Sequence, residues 1–333
     1  MRYYLGIDGG GTKTTCAVGD ESHAIAIATA GASNIVRVGE VQTRESLQQA
    51  VRQACAAAGI NPAQVARACI GGSGAGHPEL AERVRGFLAE ILPGPIDVVG
   101  DMQIALEAAF DGGPGVIVIA GTGSIACGRN QQGTSMRAGG WGFGIGDEGS
   151  AHWIGRAAVS AVLRAADPRP ADVRPSDSRP SDSGIADSRK GISESDPPAD
   201  SSLCAALFKA WGVRSIADLA RAGNAIPAPD FSMLFPAVAA SSDAVAAEVL
   251  NNAGRELANV AGVITRRLFA VDHTGAVPVA MIGGVFRHAP IVRRVFYNEL
   301  RALDPRVDVN PEVVDPVEGA LRMARKVAAK ESK

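Results

Sequence analysis

The chain reads as an α/β protein laid down in two passes of similar layout. Three observations point there. Short apolar runs bounded by glycine alternate with longer helix-prone segments, the pattern of strands and helices packed as layers. A strand, a Gly/Thr turn and a second strand open the chain at Tyr3–Val18 and recur at Val116–Arg129. The run Val116-Ile117-Val118-Ile119-Ala120 is apolar without a break, as expected of a central strand covered on both faces.

The elements follow in order. Tyr3–Ile7 is a strand, Asp8–Thr12 a glycine turn, and Thr14–Val18 and Ala24–Ala30 two more strands. Thr43–Ala58 is rich in Ala, Gln and Arg and predicts a helix stopped by Gly59. Ala66–Ile70 is a buried strand, and Glu79–Leu92 a helix with Pro78 at its start. Ile96–Val99 is a strand and Met102–Phe110 a helix. The second pass runs through Val116–Ala120, the turn Gly121–Ser124, and strands at Ile125–Arg129 and Ser135–Ala138. Ser242–Phe269 is a long helix, and Val277–Ile282 a strand ending in two glycines. Pro290–Leu303 is a helix, Val307–Val309 a strand and Val317–Ala329 a last helix.

Residues 167–202 differ in kind. Arg-Pro-Ser-Asp-Ser occurs twice in tandem, at 174–178 and 179–183, and large apolar residues are nearly absent. Such a stretch cannot bury enough surface to offset its ordering entropy, so a disordered surface insertion is expected.

Composition narrows the function. A length of 333 residues suits two domains, and 46% hydrophobic residues suffice for a sizeable core. A net charge of −2 and 5% aromatic content argue against nucleic acid and membrane as partners. The five cysteines, Cys16, Cys55, Cys69, Cys127 and Cys204, form no C-x-x-C pair. A disulfide framework or thiolate metal site is not expected, and a reducing, cytoplasmic setting is. No basic segment followed by an apolar stretch opens the sequence, so no signal peptide is expected, and no run of about 18 apolar residues occurs.

Six segments carry chemistry. In Asp8-Gly9-Gly10-Gly11-Thr12-Lys13 the glycines allow backbone N–H groups to approach an anion. Thr12 and Lys13 can add donors to phosphate oxygens, and Asp8 can hold Mg²⁺ directly or through water. The spacing is not that of a P-loop, and a plain glycine hairpin is the bland alternative. Gly121-Thr122-Gly123-Ser124 repeats the logic at the second strand pair. Together the two turns suggest hairpins gripping phosphates from both sides of a cleft. Gly283-Gly284 suits either a flat adenosine ring or a simple strand-to-helix turn. Asp101 opens a helix just past a strand, where it can cap the helix or act as a general base. Gly139–Ser150 holds six glycines, Trp141, Asp147 and Glu148 in twelve residues. Carboxylates for hydroxyl groups and bare backbone beside a ring are what a sugar site uses. Asn34 can donate to and accept from a hydroxyl, though a lone Asn there is more often a turn residue.

In this order, these segments resemble the BadF/BadG/BcrA/BcrD ATPase family, and within it the N-acetylglucosamine kinase branch. The resemblance covers nearly the whole chain except the insertion. It implies an actin-like fold of two ribonuclease-H-like domains hinged around a cleft. These would span residues 1–114, completed by a returning helix at 315–330, and 115–314. It implies ATP and Mg²⁺ as cofactors and a 6-hydroxyl of N-acetylglucosamine, glucosamine or N-acetylmuramic acid as acceptor. Asp8 would sit near Mg²⁺. Gly10, Gly11, Thr12, Lys13, Thr122, Gly123 and Ser124 would hold phosphates, and Gly283 and Gly284 would flank adenosine. Asn34, Gly140, Trp141 and Asp147 would hold the sugar, with Asp101 as catalytic base. A homodimer is compatible with this family.

Three rival readings make different demands. An activator ATPase of a 2-hydroxyacyl-CoA dehydratase or benzoyl-CoA reductase needs closely placed thiolates for an iron–sulfur cluster. A sugar-sensing repressor needs a basic DNA-binding module. An actin-type scaffold needs neither Asp101 nor the Gly139–Ser150 loop.

Overall fold

The computed structural model describes residues 2–72, 77–167, 202–270 and 275–331. The first half runs β1 (Tyr3–Gly9), β2 (Thr14–Gly19), β3 (Ala24–Ala30), α1 (Ile35–Ala57), β4 (Val65–Gly72), α2 (Pro78–Ala89), β5 (Ile96–Gly100) and α3 (Asp101–Phe110). Then come β6 (Gly115–Ala120), β7 (Ser124–Arg129), β8 (Ser135–Gly139) and α4 (Ala151–Ala166). Four helices follow: α5 (Ser202–Trp211), α6 (Ile216–Gly223), α7 (Phe235–Ala239) and α8 (Ala244–Leu268). The chain closes with β9 (Val277–Ile282), α9 (Gly284–His288), α10 (Pro290–Leu303), β10 (Val307–Val314) and α11 (Pro316–Glu331).

The sheets are ordered β3-β2-β1-β4-β5 and β10-β9-β6-β7-β8. In each, the first three strands pair antiparallel as a meander, and the last two add in parallel beside the first. This is the ribonuclease-H-like arrangement that the resemblance implied, and it occurs twice. The layout repeat seen in the sequence is therefore a repeat of topology. It puts the two glycine turns, β1 to β2 and β6 to β7, at equivalent places in the two sheets.

The apolar pattern explains the packing. Leu5, Ile7, Cys16, Val18 and Ile70 face Leu47, Val51 and Ala54 of α1 and Leu88 of α2. The opposite face of the first sheet is covered by α11, through Val317, Ala320, Leu321 and Ala324. That spacing is the stripe of one helix face. The second sheet packs against α4 and α8, whose Leu257, Ala261 and Ile264 are buried. Helix α3 belongs to both halves. Its Ile104 joins the α11 core, while Ala105, Leu106 and Met102 lie against Ile117, Cys127, Ala280 and Ile282 of the second sheet.

Two glycines let α11 seat itself. A Cβ on Gly6 would stand 2.3 Å from the Leu321 nitrogen, and one on Gly319 would stand 1.9 Å from the Ile104 carbonyl oxygen. No larger residue fits either crossing without moving backbone.

Two expectations need correction, and a third falls outside the described residues. Helix α1 begins at Ile35 rather than near Thr43, because Asn34 caps it; Gly39 then breaks the helical path at φ 76°. Strand β10 continues past Val309 to Val314. The stretch read at 167–202 lies, but for its end residues, outside the described residues. No single helix among the described residues is long and apolar enough to cross a membrane.

Candidate active site

The two glycine hairpins meet tip to tip. Thr12 Oγ1 and Thr122 Oγ1 lie 2.6 Å apart, sharing a hydrogen bond across the halves. Each turn is closed by one bond, Gly10 N–H to the Lys13 carbonyl at 3.0 Å and Gly121 N–H to the Gly123 carbonyl at 2.9 Å. Among the described residues the N–H groups of Gly11, Thr12, Thr122 and Gly123 donate to no backbone carbonyl. Both tips thus present spare donors, the raw material of an anion cradle. Ser124 is turned elsewhere: its hydroxyl donates to the Glu148 carbonyl at 2.7 Å.

Asp8 is the last residue but one of β1, and it is half-buried. Its pKa is raised from 3.8 to about 7, first by burial, then by the negative charges of Asp315 and Asp101, against a smaller pull from Lys13. Three carboxylates therefore share one region. Asp315 was missed in the sequence. The only local signal is an Asp before Pro316 at the opening of α11, where its carboxylate accepts from Val317 N–H at 3.4 Å. Its other neighbour is Arg287 of α9, 3.8 Å away.

Asp101 is the first residue of α3, and Gly100 takes the cap position, so the cap reading is corrected. The Asp101 carboxylate accepts from the Met102 N–H at 2.9 Å. It also faces Cys127 of β7, whose thiol feels its charge. Asp101 thus stands where α3 enters the space between the sheets.

The Gly139–Ser150 loop is stapled to the second hairpin. Asp147, 8% exposed, adopts a left-handed φ of 61°. It turns inward and accepts from Gly142 N–H at 3.2 Å. A Cβ on Gly123 would meet its Oδ2 at 2.6 Å, so only glycine allows this approach. Burial raises the Asp147 pKa, Glu148 adds to the rise, and hydrogen bonds from Gly142 and Ser124 offset part of it. Gly140 holds φ 67° with its bare Cα against Ile125, where a Cβ would come within 2.7 Å. Trp141, 65% exposed, stands outward with the Arg137 guanidinium 4.9 Å from its ring centroid. Ser150 caps α4, and the next N–H groups, of Ala151 and His152, donate to the carbonyls of Gly121 and Thr122 at 2.9 and 3.3 Å.

Asn34 spends its side-chain oxygen on capping α1, accepting from Val36 and Arg37 N–H groups at 3.1 and 3.3 Å. Gly283 uses its missing side chain at φ 104°, where a Cβ would stand 2.4 Å from the Ala120 carbonyl oxygen. Gly284 borders open space, with only a His288 ring atom at 4.0 Å.

Three further residues escaped the sequence reading because only folding brings them together. Arg37 of α1 pairs with Asp230 across the halves at 2.6 Å. Asp230 lies 3.9 Å from His152 Nδ1, and the His152 ring sits between Phe143 and Phe231.

All five cysteines are buried and outside any disulfide. Burial pushes the thiols up, Cys55 to about 11 and Cys69 and Cys127 to about 12. Protonated buried thiols are inert as ligands and nucleophiles. That disfavours cluster ligation as an activator ATPase would require it. Among the described residues no group of three His, Cys, Asp or Glu side chains is placed to cage a metal.

Several known proteins are similar to this chain. The N-acetylmuramic acid/N-acetylglucosamine kinase of Clostridium acetobutylicum is 37% identical over 171 residues, covering 51% of this chain and 56% of that protein. The N-acetyl-D-glucosamine kinase of Dictyostelium discoideum is 34% identical over 175 residues, covering 49% and 55%. The chain thus spans about half the length of the curated relatives it matches. A crystal structure of a candidate N-acetylglucosamine kinase from Chromobacterium violaceum is 25% identical, with a TM-score of 0.68 over 97% of this chain and 99% of that one. The model of the BadF/BadG/BcrA/BcrD ATPase family matches residues 5–222, through both hairpins, Asp101 and the Gly139–Ser150 loop. With the hairpins, the doubled sheet and this match in agreement, the chain belongs to the BadF/BadG/BcrA/BcrD ATPase family.

Proposed function

We propose that this protein transfers the γ-phosphoryl group of ATP to the 6-hydroxyl of an amino sugar, N-acetylglucosamine or a close relative. The observation that carries this is the meeting of two glycine hairpins at Thr12 and Thr122, with Asp8 and Asp101 beside them. The kinase names of the curated relatives support the same chemistry. Residues 1–114 with α11, and 115–314, act as two bodies that close on the substrates.

ATP phosphates would lie between the hairpin tips, taking the spare N–H groups and the hydroxyls of Thr12 and Thr122, with Lys13 nearby. Adenosine would rest along the open side of Gly284. Asp8, with the charges of Asp101 and Asp315 near it, would hold Mg²⁺ directly or through water, a hard oxygen donor in a region of negative charge. When bound, it supplies charge neutralisation to the phosphates. Asn34, through its amide N–H groups, and Trp141 would orient the sugar. Gly140 and Asp147 would shape the loop that presents Trp141. Asp147 acts mainly through backbone, because its carboxylate is already held inside.

Asp101 takes the proton of the acceptor hydroxyl as that oxygen bonds to phosphorus. The bond from phosphorus to the β,γ-bridging oxygen breaks, and its electron pair leaves with ADP. Closure excludes water, the competing acceptor. The buried thiols suit the reducing cytoplasm. The test is ADP release with Mg-ATP against N-acetylglucosamine, glucosamine, N-acetylmuramic acid, glucose and no sugar. Strong stimulation by one amino sugar is expected; release indifferent to every sugar sinks the reading.

A further inference from the structure

A ring of contacts encloses the hairpin tips. The Arg37 Nη1 lies 3.4 Å from where a side chain on Gly11 would begin, so its guanidinium rests on the bare face of the first hairpin. The Arg37 Nη2 bonds Asp230 Oδ2 at 2.6 Å. Asp230 is itself fixed by Ser232, whose N–H and hydroxyl donate to Oδ1 at 3.0 and 2.5 Å. Its Oδ1 stands 3.9 Å from His152 Nδ1, and the His152 N–H donates to the Thr122 carbonyl at 3.3 Å. Thr122 then returns to Thr12 of the first hairpin at 2.6 Å. The path crosses between the halves twice, at Arg37–Asp230 and at Thr12–Thr122.

A guanidinium lying on a phosphate-cradling glycine is a fork of donors aimed at the place where charge spreads during phosphoryl transfer. Its anchor sits in the opposite half, so its position depends on closure. We propose that Arg37 is a catalytic residue that binds the equatorial oxygens of the transferring phosphoryl group. Asp230 is a positioning residue that places it there only when the cleft is shut. This rests on the kinase reading above. It predicts little ATP hydrolysis without sugar, because Arg37 would reach the phosphate only when the halves close.

The experiment measures ADP release by wild type, Arg37→Ala, Arg37→Lys and Asp230→Asn, using the sugar that stimulates wild type most. Thermal unfolding of each variant is followed alongside. Arg37→Ala should lose about 100-fold in kcat, as expected for removal of one transition-state donor, with sugar KM changed little. Arg37→Lys should recover only part of the loss, because an ammonium lacks the fork. Added guanidinium chloride should restore Arg37→Ala saturably and leave Asp230→Asn, which still carries its own arginine, without gain. A kcat for Arg37→Ala within about threefold of wild type overturns the assignment. So does a loss confined to sugar KM, or a loss without guanidinium rescue. Wild type that no sugar stimulates overturns the kinase reading and this proposal together. Stimulated wild type with an equally active Arg37→Ala overturns this one alone.

Discussion

Replacing Asp8 with Asn should make the ligand-free protein more stable at pH 8 while abolishing turnover. In the folded chain this carboxyl releases its proton near pH 7, against 3.8 in the unfolded chain. The folded state therefore binds the proton more tightly. The stability tied to that proton is fully present below pH 3.8 and is lost as the pH rises to about 7. Between pH 5 and 8 the loss comes to about 2–3 kcal/mol by linkage. Solvent screening at a half-buried carboxylate trims this to about 1–2 kcal/mol. For a chain of this size that is a fall of about 2–5 °C in Tm. Asn does not titrate, so between pH 5 and pH 8 Asp8→Asn should gain that margin over wild type. Differential scanning calorimetry without divalent metal, at pH 5, 6, 7 and 8, measures it. Adding Mg-ADP should reverse the order at pH 8, stabilising wild type and not the variant. If wild type and Asp8→Asn lose stability in parallel from pH 5 to 8, the argument from burial and from the Asp101 and Asp315 charges is wrong.

Two other substitutions separate chemistry from architecture. Asp101→Asn should lower kcat by about 10²–10⁴ while calorimetric ADP affinity stays within about twofold, since a base serves only the transfer step; unchanged turnover would remove it from the mechanism. Gly319→Ala should cost about 3 kcal/mol or more, because its Cβ would land 1.9 Å from the Ile104 carbonyl oxygen and 2.6 Å from the Ala108 nitrogen. A Tm within about 1 °C of wild type would mean that α11 does not cross α3 there.

What the sequence disclosed and what it hid divide along physical lines. Glycine-bounded apolar runs gave both hairpins and both sheets, because strand period and turn chemistry are local. Asn34 was visible as a residue of interest, yet its role as a helix cap hid behind Gly39. A left-handed glycine so early in a helix erases the periodic signal that would mark its start. Asp147 looked like a hydroxyl acceptor, and nothing local announces the positive φ that turns it inward onto Gly123. Arg37, Asp230, His152 and Asp315 carry no motif at all. They lie far apart along the chain and acquire meaning only when the two sheets face each other.

The seating of α11 has a consequence for how the chain comes into being. Tyr4, Ala17, Cys69 and Ile104 lie under this helix, whose residues are the last of the described chain to leave the ribosome. Within the described chain, one apolar face of the first sheet therefore stays bare until α11 is made. A fragment cut before Pro316 would keep every strand of the first sheet and still be expected to clump, while a separate peptide of residues 316–331 added to it should quiet it.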